Sequence, residues 1–198
     1  MLKQYVIAIG GSAGSLIPLC VFFDHTPLNN ASYIILRHLP MDYRSKLNEI
    51  LRSHSKLQVV EAIEGVSIEN DTIYYSPPFH HMKIYDGILE IIRRYDGMND
   101  EIDMFMESLA INENKRQAIA VILSGEGYDG VKGTAAIKKA GGLVIVQSPE
   151  SCEHPRLPLA VIKSGNADFV LLPQDMSVII QGYVRNNENK QVLRNKDQ

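Results

Sequence analysis

Two uninterrupted apolar stretches end abruptly in glycine-rich turns. Val6 to Ile9 is continuous rather than alternating, the pattern of a parallel strand covered on both faces, and Gly10, Gly11, Ser12, Ala13 and Gly14 follow at once. Ala118 to Leu123 repeats the arrangement and runs into SGEGYDG. Each turn leads into a helical pattern, Leu16 to Phe23 after the first and Val131 to Ala140 after the second, the latter closed by Gly141 and Gly142. Ala31 to Leu36 reads as another buried strand, ending in Arg37, His38, Leu39 and Pro40. A helix is expected from Tyr43 to Arg52, with Leu47, Ile50 and Leu51 on one face, and a strand from Gln58 to Ala62.

The rhythm then changes. Val66 to Ser76 and Met82 to Ile92 are short alternating pieces, punctuated by Glu69, Asn70, Asp71 and by Asp86, Gly87. These are hairpin signals, and they predict antiparallel strands appended to a parallel sheet. Asp100 to Ile111 is amphipathic, with Ile102, Phe105, Met106 and Leu109 at helical spacing. After the second glycine-rich turn and its helix, Leu143 to Gln147 reads as a strand, Ser148 to Pro158 as a loop and Leu159 to Ser164 as a short helix. Asp168 to Leu172 reads as the last strand, with a final helix from Asp175 to Tyr183. The pattern is that of an α/β fold, doubly wound, with a mostly parallel sheet and an antiparallel hairpin extension. One domain is expected over 1–184, and 185–198, polar and rich in Asn and Lys, as a flexible tail.

Composition narrows the function. The chain has 198 residues, a formal net charge of -3 and 45% hydrophobic residues, so no basic excess points to nucleic acid or an anionic membrane. Its two cysteines, Cys20 and Cys152, form no disulfide framework, and a reducing cytoplasm is the expected setting. No apolar run reaches the roughly 20 residues that span a bilayer, so no membrane insertion is expected. MLKQYVIAIGG reads as a strand rather than a signal peptide, because glycine interrupts it early.

In open α/β sheets ligands bind beyond the carboxyl ends of the strands, where this chain places Ser12, His38 and Asp129. A serine, a base to take its proton and a carboxylate to orient that base make a hydrolytic triad. Each residue alone has a plainer reading. Ser12 suits a helix cap or a phosphate loop, His38 a satisfied histidine at a strand end, and Asp129 a cap for the helix that starts beside it. Gly10 to Gly14 fits G-x-S-x-G, yet His38 precedes Asp129, the wrong order for an α/β-hydrolase. The dinucleotide pattern fails because Ser12 stands at its second glycine. A metal site is poorly supported: adjacent His80 and His81 face opposite ways on a strand, and Cys152 with His154 lacks a second pair.

GGSAGS after the first strand, RHLP after the second, YYSPPFHHM, AVILSGEGYDG and VQSPESCEHPRLP together resemble the catalytic domain of the CheB-type chemoreceptor glutamate methylesterases. The likeness runs from Val6 to about Ile180, and the short Ser-Ala-Gly turn and ILSG look closest to the branch fused to receptor methyltransferases. The resemblance implies a serine hydrolase that removes methyl from γ-glutamyl methyl esters of a receptor-like protein, releasing methanol, and in some members deamidates glutamine. It needs no cofactor. By position it makes Ser12 the nucleophile, His38 the general base and Asp129 the orienting residue, with the backbone N–H groups of Ala13 and Glu126 as oxyanion donors.

Three residues depart from the family pattern. Ser15 replaces a glycine, Arg37 replaces a glutamine, and Glu126 stands where many members have methionine or threonine. A carboxylate at position 126 opposes a nearby oxyanion unless it is turned to solvent or paired, for instance with Arg37. The alternative reading is a catalytically weak or inactive domain with a binding or regulatory role in bacterial signalling. Members working in chemotaxis also carry an N-terminal receiver domain. Met1 stands only a few residues before the first strand, so phospho-gating is expected to be absent here, or to come from a longer protein or from a separate receiver or methyltransferase partner.

Overall fold

The computed structural model describes residues 5–37, 44–95, 99–111 and 118–196. β1 (Tyr5–Gly10) leads through the serine turn to α1 (Leu16–Asp24), β2 (Ala31–Leu36), α2 (Arg44–His54), β3 (Gln58–Glu61) and β4 (Thr72–Tyr75). β5 (His80–Tyr85) and β6 (Ile88–Arg93) follow, then α3 (Glu101–Ile111), β7 (Ala118–Ile122), α4 (Val131–Lys139) and β8 (Leu143–Gln147). A short 3₁₀ turn at Pro149–Ser151 precedes α5 (Arg156–Lys163), β9 (Phe169–Leu171) and α6 (Pro173–Lys196).

Seven strands form one parallel sheet in the order β3-β4-β2-β1-β7-β8-β9. The continuous apolar character of β1 has a direct cause: its residues feed two cores in alternation. Tyr5, Ile7 and Ile9 pack with Leu19, Phe22 and Phe23 of α1 and Met176 and Ile180 of α6. Val6 and Ala8 face Ile102, Phe105 and Met106 of α3, Ile137 of α4 and Leu157 of α5. With helices on both faces, a polar residue at either parity would be buried without a partner.

The hairpin expectation holds for one of its two stretches. β5 and β6 pair antiparallel around Asp86 and Gly87, both at positive φ, and Met82, Ile84 and Leu89 pack against α3. Thr72–Tyr75, by contrast, is a parallel strand inserted between β3 and β2. Its polar character comes from tyrosines whose rings are buried while their hydroxyls are hydrogen-bonded. Tyr74 Oη accepts from the Glu69 N–H at 3.0 Å, and Tyr75 Oη from Asn48 at 3.1 Å.

Two boundaries are also corrected. α5 begins at Arg156, before Pro158 rather than after it. Proline is tolerated there because the first-turn amides of a helix have no partner within the helix. α6 begins at Pro173 rather than Asp175, and its helical backbone continues through Lys196. The chain contains neither glycine nor proline after Gly182, so nothing there breaks a helix.

Candidate active site

Strand order reverses between β1 and β7: the chain builds outward through β2 on one side and through β8 and β9 on the other. The crevice at such a reversal, beyond the carboxyl ends of the strands, is where open α/β sheets bind ligands. Ser12 leaves β1 there, and Ser124 to Asp129 leave β7 beside it. The Ser12 N–H donates to the Ser124 carbonyl at 3.0 Å, and Ser12 Oγ accepts from the Glu126 N–H at 2.9 Å. Gly125 permits this approach, since a Cβ on it would stand 2.7 Å from Ser12 Oγ. The serine turn closes on itself through Gly14 at φ 70° and through Ser15, whose hydroxyl donates to the Ser12 carbonyl at 2.7 Å. Ser15, a departure from the family pattern, is therefore part of the turn.

Behind the serine lies a buried polar hub. Ser124 Oγ donates to the Ala13 carbonyl at 3.0 Å and accepts from the His154 N–H at 3.0 Å. The Ser124 N–H donates to Gln147 Oε1 at 2.8 Å, while Gln147 Nε2 donates to the Ser151 carbonyl at 3.1 Å. The Gly125 N–H meets the His154 carbonyl, and the Leu157 N–H meets the Gly125 carbonyl, each at 2.9 Å. Ser124 and Gln147 thus bind the loops after β1, β7 and β8 into one unit. Neither was singled out from the sequence, although a glutamine closing the apolar run Leu143 to Val146 was a readable signal.

Asp129 is brought to the same rim. Its carboxylate accepts from the Ile102 N–H at 3.0 Å and the Asp103 N–H at 2.9 Å, so it closes the first turn of α3 rather than that of α4, the helix adjoining it in sequence. Burial pushes this carboxyl up to about 6, with Asp103 and Asp100 adding repulsion and the two amides acting against the rise. His38 lies outside the described residues. The strand leading to it is placed: the Gly11 N–H donates to the Leu36 carbonyl at 3.3 Å, which sets the end of β2 against the serine turn.

The side chain of Glu126 is paired with residues of the loop after β8 and the start of α5. Its Oε1 lies 3.0 Å from His154 Nδ1 and its Oε2 lies 3.8 Å from Arg156, where the sequence reading suggested Arg37. Arg156 in turn lies over the Tyr128 ring, 5.7 Å from its centroid. His154 Nε2 also faces Glu153 at 3.5 Å, which makes a charged fringe along the rim. Among the described residues no cluster of three metal-binding side chains occurs, and no helix is long and apolar enough to cross a membrane. A groove of about 470 Å³ lies elsewhere, between the β5–β6 hairpin and α3, and Ser12 does not line it.

The CheB methylesterase family model matches residues 7–180. A Thermotoga maritima protein named protein-glutamate methylesterase/protein-glutamine glutaminase is 32% identical over 173 residues, covering 84% of this chain and 50% of its own length. A probable protein-glutamate methylesterase of Borreliella burgdorferi is 30% identical over 191 residues, covering 93% of this chain and 51% of its own. The crystal structure of the Thermotoga maritima CheB methylesterase catalytic domain superposes with a TM-score of 0.81 at 28% identity, covering 92% of this chain and 98% of that one. The chain therefore spans about half the length of the curated relatives it matches.

Proposed function

The chain belongs to the CheB methylesterase family, and we propose that it hydrolyses γ-glutamyl methyl esters on a receptor-like protein, releasing methanol, with glutamine deamidation by the same chemistry. The observation that carries this reading is Ser12 Oγ held 2.9 Å from the Glu126 N–H at the β1/β7 crevice. A hydroxyl fixed beside a main-chain donor has both parts of acyl transfer in one place: a nucleophile, and an amide for the oxyanion it creates.

In the proposed reaction Ser12 Oγ attacks the ester carbonyl while His38 takes its proton. The oxyanion is held by the N–H groups of Ala13 and Glu126, the latter exchanging the serine oxygen for the substrate oxygen. His38 then returns the proton to the departing methoxide, which leaves as methanol, and a γ-glutamyl ester remains on Ser12. Water, deprotonated by His38, then attacks that ester, and His38 returns the proton to Ser12 Oγ as the acyl–oxygen bond breaks and the glutamate carboxylate is released. Asp129 orients the imidazole and balances its positive charge. No cofactor takes part. A cytoplasmic setting, a methylated chemoreceptor as substrate, kinship with the methyltransferase-fused branch and a separate receiver or methyltransferase partner belong to the same proposal.

The test is methanol release from a methylated receptor fragment by the wild type and by Ser12→Ala. The wild type should turn over and the variant should lose at least about 10³-fold. Equal rates would remove the reading. A wild type that releases no methanol and takes no label from a serine-directed phosphonate would instead favour a binding or regulatory domain.

A further inference from the structure

Two helices exchange carboxylates beside the proposed triad. Asp129, on the turn entering α4, accepts from the amides of Ile102 and Asp103 in the first turn of α3. In return, Asp103 Oδ1 accepts from the Gly130 N–H at 2.8 Å and the Gly133 N–H at 2.7 Å, at the start of α4. Each aspartate thus caps the other's helix. Anions satisfy free first-turn amides and offset the helix dipole, so each capped end has reason to hold its partner.

The bonds close a small ring. The Asp103 N–H reaches the Asp129 side chain, and the amide next after Asp129 reaches the Asp103 side chain. Both ends of residue 129, its carboxylate and its outgoing backbone, are therefore tied to residue 103. Rotating the Asp129 carboxylate away would strip two amides of their acceptor. The close approach depends on Gly133, where a Cβ would stand 2.7 Å from Met106 Cβ and 3.1 Å from Asp103 Cα.

We infer that Asp103 is a positioning residue for the reaction, its side chain holding the turn that aims the Asp129 carboxylate before substrate arrives. The inference rests on the reading of Asp129 as the residue that orients the catalytic base. Asp103 does not meet the serine turn in any contact described above, and its effect runs through Asp129. Small misplacements of a catalytic group cost rate without weakening substrate binding.

The experiment measures kcat and KM on a methylated receptor fragment for the wild type, Asp103→Ala, Asp103→Asn, Asp103→Glu and Asp129→Asn. Each value is normalised to the serines titrated by a phosphonate reagent. Asp103→Ala should lower kcat per titrated serine by roughly 10- to 100-fold with KM within about twofold. Asp103→Asn keeps an acceptor oxygen in place and should recover most of that loss. A wild-type kcat in Asp103→Ala, or an equal loss in the alanine and asparagine variants, overturns the inference. Should the alanine variant fail to fold, Asp103→Glu decides: its extra methylene displaces the acceptor while keeping the charge, so kcat should fall, and a wild-type value overturns the inference. A wild-type kcat in Asp129→Asn removes the triad reading and this inference with it. Loss in Asp129→Asn beside a wild-type Asp103→Ala removes the inference alone.

Discussion

The polar groups around Ser12 differ in burial and in how closely they are bonded, from 2.8 Å between Ser124 and Gln147 to 3.8 Å between Arg156 and Glu126. Behind the serine, Ser124 and Gln147 are almost wholly buried, at 0% and 1% exposure, and they join three loops. In front, the side chains of Glu126 and Arg156 are 51% and 62% exposed, and they fringe the opening. Buried groups that lose a partner bear the full desolvation penalty, whereas exposed ion pairs are screened by water and salt. The hub should therefore govern whether the site exists, and the fringe should govern how well it works.

The largest effect should come from Asp129, which is half-buried and held by two amides of α3. Asp129→Asn should lower kcat by about 10³- to 10⁴-fold, measured as methanol release at neutral pH, because the base loses its orienting charge. Stability should respond in the opposite sense. The folded carboxyl titrates at about 6, above the ordinary aspartate value near 4, because burial disfavours its charged form. Its stabilising share is complete below about pH 4 and is lost as pH rises through about 6. Urea midpoints taken between pH 4 and 7 should thus fall for the wild type relative to Asp129→Asn.

Next in size is Ser124→Val, which leaves the Ala13 carbonyl and the His154 amide without this partner. A loss of about 2 to 3 kcal/mol by denaturant unfolding is expected, with slower methanol release from the loosened serine turn. Gln147→Leu removes the acceptor for the Ser124 N–H and should cost about 1 to 2 kcal/mol by the same measurement. If either variant unfolds at the wild-type midpoint, the hub is not the frame described here.

The smallest effects belong to the fringe. Glu126→Gln should change stability by less than about 0.5 kcal/mol, since its partners are exposed. Its kcat should rise a few-fold, because a negative charge beside the oxyanion is removed. Arg156→Ala should move kcat the other way by freeing that carboxylate, and added salt should narrow the gap. A Glu126→Gln variant indistinguishable from the wild type in kcat would mean that the pairing already silences the charge.

The parallel sheet was legible because buried strands leave continuous apolar runs, and β1, β2, β7 and β8 all have them. That Ser12 and Asp129 stand on turns beyond the ends of β1 and β7 was legible because each apolar run stops at a glycine-rich segment. β4 was misread, since buried tyrosines with hydrogen-bonded hydroxyls imitate a half-exposed strand. α5 was read late because Pro158 looks like a boundary when the helix start is unknown. For Glu126 the sequence offered Arg37 as one example of a partner, whereas the loop after β8 and the first residue of α5 supply His154 and Arg156.

The sequence alone determined the layered α/β architecture, the strand-end position of the serine and the likeness to the methylesterases. Those properties follow from local periodicity and short motifs, which neighbouring residues encode together. Tertiary structure decided which helix Asp129 caps, that Asp103 returns the bond, and that Ser124 and Gln147 brace the serine turn. Each of these pairs residues that are distant in the chain, and a hydrogen bond depends on where two backbones meet, which no local pattern records.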